Sequence, residues 1–302
     1  MKPLAGTSAT RQHPFATARR LVILLGMLAG IVSAQTTTRV PVTVPDSVIL
    51  EANIPYDHYA DTVLDVMRPK AESAEKRPGV IVFHGGGWIQ STKETTMTAL
   101  CLPYLEQGFV VANVEYRLAR VAVAPAAVTD ALDAAKWFFD HADKYNVDPK
   151  RIVVTGASAG GHLALMVGMT PQSADLGPAV HVAAIVNGYG ITDVPDLLSG
   201  PNEKGWATQW VPDGPDRLAL AKRVSPLTYV RAGLPPTLTV QGANDNTVPL
   251  DQGKRLTAAL KAAGDDADII VVPNAGHGFS REQWPGVNAQ IFAFLRAHGI
   301  LK

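Results

Sequence analysis

Six short apolar runs, rich in β-branched residues, constrain the fold of this chain more than any other feature. They lie at 80–83, 109–114, 151–154, 182–186, 237–240 and 268–272. Continuous apolar character is typical of strands that are covered on both faces. Helical patterns fill the intervals at 126–145, 162–169, 251–263 and 287–297. The alternation predicts an α/β fold, a doubly wound and mostly parallel sheet with helices on both faces.

Two regions depart from this alternation. Residues 48–54 and 62–67 carry shorter alternating segments, which predict an antiparallel hairpin at the edge of the sheet. Residues 190–235 are rich in Pro and Gly and break the strand–helix rhythm. Because long irregular stretches in compact domains usually serve function, we expect a short cap-like insertion over the site. The catalytic domain is expected over residues 40–302.

The N-terminal segment has the pattern of a signal peptide. A basic segment that includes Arg19 and Arg20 precedes an apolar stretch from Leu21 to Val32. Small residues follow this stretch, up to Ala34. This order predicts a signal peptide over residues 1–34 with cleavage after Ala34. The apolar stretch is short for a membrane span, although an uncleaved anchor is the alternative. We therefore expect a secreted or periplasmic protein with no stable membrane span in its mature form.

The charge balance narrows the classes of partner. Lys plus Arg and Asp plus Glu number 27 each, so no basic field is present to hold nucleic acid or an anionic membrane. Neutral or weakly charged small molecules are the expected partners. No histidine spacing typical of metal ligands occurs, and no metal or other cofactor is expected. Composition gives no indication of the oligomeric state.

A G-x-S-x-G motif at 156–160 connects a predicted strand to a predicted helix. In this context the motif indicates a nucleophile elbow, in which Ser158 is lifted out of the sheet on a tight turn. The small residues around Ser158 allow strand and helix to pass closely. Ser158 is therefore the predicted nucleophile.

A glycine-rich block follows the strand at 80–83. Its sequence, His-Gly-Gly-Gly-Trp at 84–88, leaves backbone N–H groups free to point at one oxygen. Acyl transfer requires such donors around its oxyanion. We predict an oxyanion hole formed by the amides of Gly86, Gly87 and Ala159, with Gly85 as an alternative to Gly87.

Two later loops supply the predicted partners of the nucleophile. Asp245 follows the strand at 237–240, and His277 lies between two glycines after the strand at 268–272. His277 would act as the base, and Asp245 would hold its imidazole in the correct tautomer. The order Ser158, Asp245, His277 is that of α/β hydrolases. Four aromatic residues are expected to line the substrate cleft: Trp88, Tyr189, Trp206 and Trp210. For Trp206 and Trp210, which lie in the insertion, packing in the core is an equal alternative.

These motifs resemble those of the bacterial feruloyl-esterase-like and hormone-sensitive-lipase-like α/β hydrolases. The resemblance runs from about residue 50 onwards and includes Glu-Tyr-Arg-Leu at 115–118, where the family usually has Asp at position 115. It implies the α/β-hydrolase fold and hydrolysis of carboxylic esters without a cofactor, on short acyl, aryl or carbohydrate-linked substrates of feruloyl or acetyl type. The departure at Glu115 favours the feruloyl-esterase-like branch. A serine peptidase or amidase of the same fold, or a non-catalytic binding protein, are the alternatives.

Overall fold

The computed structural model describes residues 44–302, and the predicted signal peptide lies outside them. One sheet of eight strands, in the order β1-β2-β4-β3-β5-β6-β7-β8, forms the centre of this region. The strands are β1 Val48–Pro55, β2 Val63–Pro69, β3 Arg77–Phe83, β4 Val110–Val114, β5 Val147–Ala157, β6 Ala184–Gly188, β7 Thr237–Gly242 and β8 Ala267–Val272.

The sheet is parallel except at one edge. β1 pairs antiparallel with β2, and β2 pairs antiparallel with β4, whereas every pairing from β4 to β8 is parallel. The predicted edge hairpin and the predicted mostly parallel sheet are both confirmed. Because the parallel strands share one direction, the loops after their carboxyl ends meet along one edge, where open α/β sheets bind ligands.

Seven helices accompany the sheet within the described residues. They are α1 Leu102–Glu106, α2 Ala126–Asp140, α3 Ala159–Met169, α4 Gly205–Trp210, α5 Arg217–Arg223, α6 Leu250–Ala262 and α7 Trp284–Ala297. The helix predicted over 126–145 is shorter in the structure. The chain turns after Asp140, and Asn146, with φ of 55°, leads directly into β5. The apolar residues that extended the pattern, Ala142 and Tyr145, are buried in turns instead.

Alternate residues of the strands bury on opposite faces. Ile81 and Phe83 of β3 pack in the cluster that contains residues of α2, α3 and α6, whereas Val80 and Val82 pack with residues of α1 and α7. Each of these four side chains is fully buried. Burial of one such side chain stabilises the fold by roughly 1.5–3 kcal/mol. The apolar contacts on both faces of the sheet therefore stabilise the position of the central strands.

Residues 190–235 contain α4, α5 and short 3₁₀ turns, which are tied to the rest of the fold by specific hydrogen bonds. The buried Gln252 of α6 accepts a hydrogen bond from the Thr192 amide at 2.9 Å and donates to the Asp196 carboxylate at 2.9 Å. The segment is therefore anchored at its start to α6. Across residues 44–302, every helix is too short or too polar to cross a membrane.

Candidate active site

The turn between β5 and α3 holds Ser158 in a strained conformation. Its φ of 58° and ψ of −122° lie in a region that residues other than glycine rarely adopt. The flanking glycines make the turn possible. A Cβ on Gly156 would lie 2.4 Å from the Gly160 carbonyl, and one on Gly160 would lie 2.1 Å from the Phe83 oxygen. Side chains at either position would force the strand and helix apart, so the motif is required sterically.

The structure brings together the three side chains predicted to form the triad. His277 Nε2 lies 2.8 Å from Ser158 Oγ, and its Nδ1 lies 2.9 and 3.1 Å from the two oxygens of Asp245. Asp245 Oδ1 also accepts the amides of Thr247 and Val248 at 2.9 and 3.0 Å. Because the carboxylate is an acceptor, Nδ1 carries the proton and Nε2 is left free to accept from the serine.

The loop after β3 curls beside Ser158 with its amides unengaged. Gly86 and Gly87 have φ of 103° and 59°, and a Cβ on Gly86 would lie 2.1 Å from the Gln90 oxygen. Within residues 44–302 their N–H groups donate to no protein acceptor. Ala159 is the first residue of α3, so its N–H has no partner inside the helix. The three amides predicted as oxyanion donors are therefore available.

A buried polar cluster of His84, Glu115 and Tyr116 lies behind the glycine loop, where His84 orders the loop by hydrogen bonding. His84 Nδ1 donates to the Gly85 carbonyl at 2.7 Å, and its Nε2 lies 3.1 Å from Glu115 Oε1. The Tyr116 ring stacks on the His84 ring, and the Tyr116 hydroxyl donates to the His84 carbonyl at 3.0 Å. The Gly85 carbonyl and the Gly86 N–H belong to one trans peptide and point in opposite directions. Holding that carbonyl therefore aims the Gly86 amide away from His84.

A second buried histidine links the elbow helix to the loop and to the insertion. His162 Nε2 donates to the Val224 carbonyl at 2.7 Å, and its Nδ1 accepts from Trp88 Nε1 at 3.2 Å. Full burial lowers the pKa of His162 from 6.5 to about 4. The ring is therefore neutral at pH 7, which this pair of hydrogen bonds requires, since a protonated Nδ1 could not accept.

A cavity of about 360 Å³ opens in front of Ser158. Its walls come from the glycine loop, the elbow, the loops after β6, β7 and β8, and α4. His277 is the only histidine among the described residues that line it, and no lysine, arginine or carboxylate lines it. The lining residues are Gly85, Gly86, Gly87, Ile89, Gln90, Ala157, Ser158, Tyr189, Trp206, Thr247 and His277.

The four aromatic residues expected to line the cleft divide into two pairs. Tyr189 and Trp206 line the cavity, and the Trp206 ring packs 3.1 Å from the position of a Cβ on Gly87. Trp88 and Trp210 do not. The cleft prediction is therefore wrong for Trp88, and for Trp210 the core-packing alternative is the correct one. Both are fully buried and stack on each other with ring centroids 3.9 Å apart. Trp88, with φ of 60°, turns inward to reach His162, and this explains its burial.

No three potential metal ligands of the His, Cys, Asp or Glu types cluster anywhere in the described part of the chain. The arrangement that remains is a hydroxyl, an imidazole and a carboxylate in series beside free backbone amides. This arrangement can activate a serine as a nucleophile and stabilise an oxyanion.

Comparison with known families decides the relationship of the chain. The family model described as BD-FAE matches residues 64–260. The chain belongs to the BD-FAE family. The match contains the glycine loop, Ser158 and Asp245, whereas His277 lies beyond it. The predicted α/β-hydrolase esterase family is thereby confirmed.

Curated relatives of this BD-FAE chain include two proteins of Mycobacterium tuberculosis. "Carboxylic ester hydrolase LipN" is 33% identical, over 81% of this chain and 67% of LipN. "Esterase LipC" is 30% identical, over 72% of this chain, and only 57% of LipC is covered. Among solved structures, a truncated carbohydrate esterase from gut microbiota superposes with a TM-score of 0.67 at 25% identity. That match covers 82% of this chain and 96% of the esterase.

Proposed function

We propose that this chain is a serine esterase that hydrolyses carboxylic esters through an acyl-enzyme intermediate. The observation that carries the proposal is the continuous hydrogen-bonded series from Ser158 Oγ through His277 to Asp245, at the floor of an open cavity. The names of the related mycobacterial proteins support the same reaction class.

The geometry gives each group a role in the reaction. His277 Nε2 takes the hydroxyl proton as Ser158 Oγ attacks the ester carbonyl, and Asp245 stabilises the imidazolium that forms. The amides of Gly86, Gly87 and Ala159 donate to the oxyanion, which develops charge only as the carbonyl becomes tetrahedral. His277 then returns the proton to the departing alcohol. A water molecule, activated by the same imidazole, releases the acyl group from Ser158.

The cavity favours neutral esters with small acyl groups. No lysine, arginine or carboxylate lines the cavity to pair with a charged substrate, and Trp206 limits the space beside Gly87. The side chains of Gln90 and Thr247 offer hydrogen-bonding groups to a polar alcohol. Together with the related carbohydrate esterase, this composition favours carbohydrate-linked esters of a small acyl group such as acetyl over feruloyl esters.

The test compares the purified protein with Ser158→Ala on nitrophenyl acetate, methyl ferulate, acetylated xylan and an aminoacyl anilide. We expect ester turnover in the wild type and its loss by at least a thousandfold in Ser158→Ala. Ser73→Ala is the matched control, because the Ser73 hydroxyl is exposed and bonds only to the Glu75 carbonyl. Turnover of anilides alone would indicate a peptidase. No turnover, with no labelling by a fluorophosphonate, would indicate a binding protein.

We also propose that residues 1–34 direct export and that the mature chain begins at Gln35. The basic segment, the apolar stretch and the small residues before Gln35 support this proposal. Expression of the full chain in a Gram-negative host, followed by fractionation and N-terminal sequencing, tests it. A periplasmic protein that starts at Gln35 is expected. A membrane-bound protein with an intact N-terminus would identify an anchor instead.

A further inference from the structure

Tyr189 is held in an uncommon backbone conformation at the carboxyl end of β6. Its φ is 40°, a value that bulky residues rarely adopt, and its amide donates to the Val240 carbonyl at 2.8 Å. Backbone strain of this kind clusters at functional sites. The Gly188 carbonyl beside it accepts the amide of Ser158 at 2.8 Å. The position of Tyr189 is therefore tied directly to that of the nucleophile.

The Tyr189 ring lies on the His277 side of the cavity. Its edge meets the His277 ring, with centroids 4.9 Å apart and an angle of 70° between the planes. The Phe279 ring also contacts the Tyr189 ring, with centroids 5.3 Å apart. The hydroxyl lies 3.8 Å from the position that a Cβ on Gly278 would take. In ester hydrolysis the leaving alcohol must face the imidazole that protonates it, so Tyr189 borders the leaving-group side.

Within residues 44–302 the Tyr189 hydroxyl makes no hydrogen bond to the protein, and it keeps accessible surface although the residue as a whole is only 8% exposed. A polar hydroxyl that is not bonded within the protein is free to bond to a ligand. Here the residue lines the cavity, so a bound substrate is the available partner. Burial and the nearby Asp245 carboxylate raise the pKa of Tyr189 to about 12. The hydroxyl therefore keeps its proton and can donate at neutral pH.

We propose that the Tyr189 hydroxyl donates a hydrogen bond to the oxygen of the departing alcohol, an inference that rests on the proposed esterase function. When the tetrahedral intermediate collapses, the bond between the acyl carbon and the alcohol oxygen breaks, and its electron pair stays on that oxygen. The proton that neutralises this oxygen comes from His277 Nε2. Tyr189 keeps its own proton and stabilises the charge that builds up before the transfer is complete.

The proposed hydrogen bond from Tyr189 should affect the rate only for esters whose alcohol is a poor leaving group. Ethyl acetate and nitrophenyl acetate form the same acetyl-enzyme, but ethoxide needs far more stabilisation than nitrophenolate. In Tyr189→Phe, which keeps the ring and its contacts with His277, kcat/KM for ethyl acetate is expected to fall about tenfold. For nitrophenyl acetate the fall is expected to stay below about twofold, because nitrophenolate leaves without such help.

Two controls accompany this comparison. Tyr229→Phe removes a tyrosine hydroxyl outside the cavity, which donates to the Arg223 carbonyl, and should leave both rates unchanged. The rate of fluorophosphonate labelling of Ser158 in Tyr189→Phe shows whether the triad is intact. Equal losses on both acetates, or no loss on either, would overturn the role of Tyr189. If Ser158→Ala kept full activity on both acetates, the proposed esterase mechanism itself would fail, and the role of Tyr189 with it.

Discussion

Acidification should destabilise the fold through His162, the fully buried histidine that joins Trp88 to the Val224 carbonyl. Its pKa is lowered from 6.5 to about 4 because burial disfavours the charged ring. Between these two values the unfolded chain binds a proton that the folded chain does not. The free energy of unfolding therefore rises with pH between these two values. The buried His162 stops reducing the free energy of unfolding only above about pH 6.5.

The magnitude follows from the gap between the two pKa values. A separation from 6.5 to about 4 corresponds to roughly 3 kcal/mol once the pH is below both. At pH 5, where the unfolded histidine is almost wholly protonated and the folded one almost wholly neutral, the loss is about 2 kcal/mol. Against a typical total stability of about 5–15 kcal/mol, this loss is large.

Urea unfolding of the wild type and of His162→Gln, at several pH values from 8 to 4.5, measures this contribution. Other groups titrate in both proteins, so the difference between the two curves isolates His162. Glutamine can still donate to Val224, but it cannot take up a proton. We expect the wild type to lose about 2 kcal/mol more than the variant between pH 8 and pH 5. Parallel curves for the two proteins over that range would refute the reasoning.

Two further predictions concern the glycine loop. Glu115→Gln weakens the hold of the Glu115 carboxylate on His84, so kcat should fall about tenfold with little change in KM, since oxyanion donors act in the transition state. A steady-state assay in which KM rises and kcat is unchanged would contradict this. Trp206→Ala opens space beside Gly87, and the ratio of kcat/KM for nitrophenyl hexanoate to that for nitrophenyl acetate should rise roughly tenfold. An unchanged ratio would show that Trp206 does not limit the acyl group.

The sequence was sufficient to predict which loops meet at the site. Ser158, Asp245 and His277 each follow a strand that an apolar run identifies, although the edge strand β8 is half-exposed and not buried as predicted. Parallel strands bring such loops to one edge of the sheet. The contact between His84 and Glu115 could have been inferred by the same logic. Each residue directly follows a strand, and Phe83 pairs with Val114 in the parallel register. The missing step was the adjacency of β3 and β4, which residue patterns along one chain do not give.

The sequence alone could not predict whether Trp88 and Trp206 point into the core or into the cleft. Trp88 lies in a turn and Trp206 lies in the short helix α4, and indole rings suit a core and a cleft equally well. The choice depends on the φ of 60° at Trp88 and on the burial of His162, both of which are set by tertiary packing.

The end of α2 could not be predicted either. Its apolar pattern continues past Asp140 because buried turn residues carry the same apolar signal as helical ones.

The two ends of the hydrogen bond between Ser158 and His277 are separated by 119 positions along the chain. During synthesis, Ser158 emerges long before β8, the strand that precedes His277. A polypeptide released or cleaved ahead of β8 would display the elbow without any group to activate it. The proposed triad is therefore complete only after the last sheet strand has paired with β7, and under the proposed function an incomplete chain would hold no activated serine.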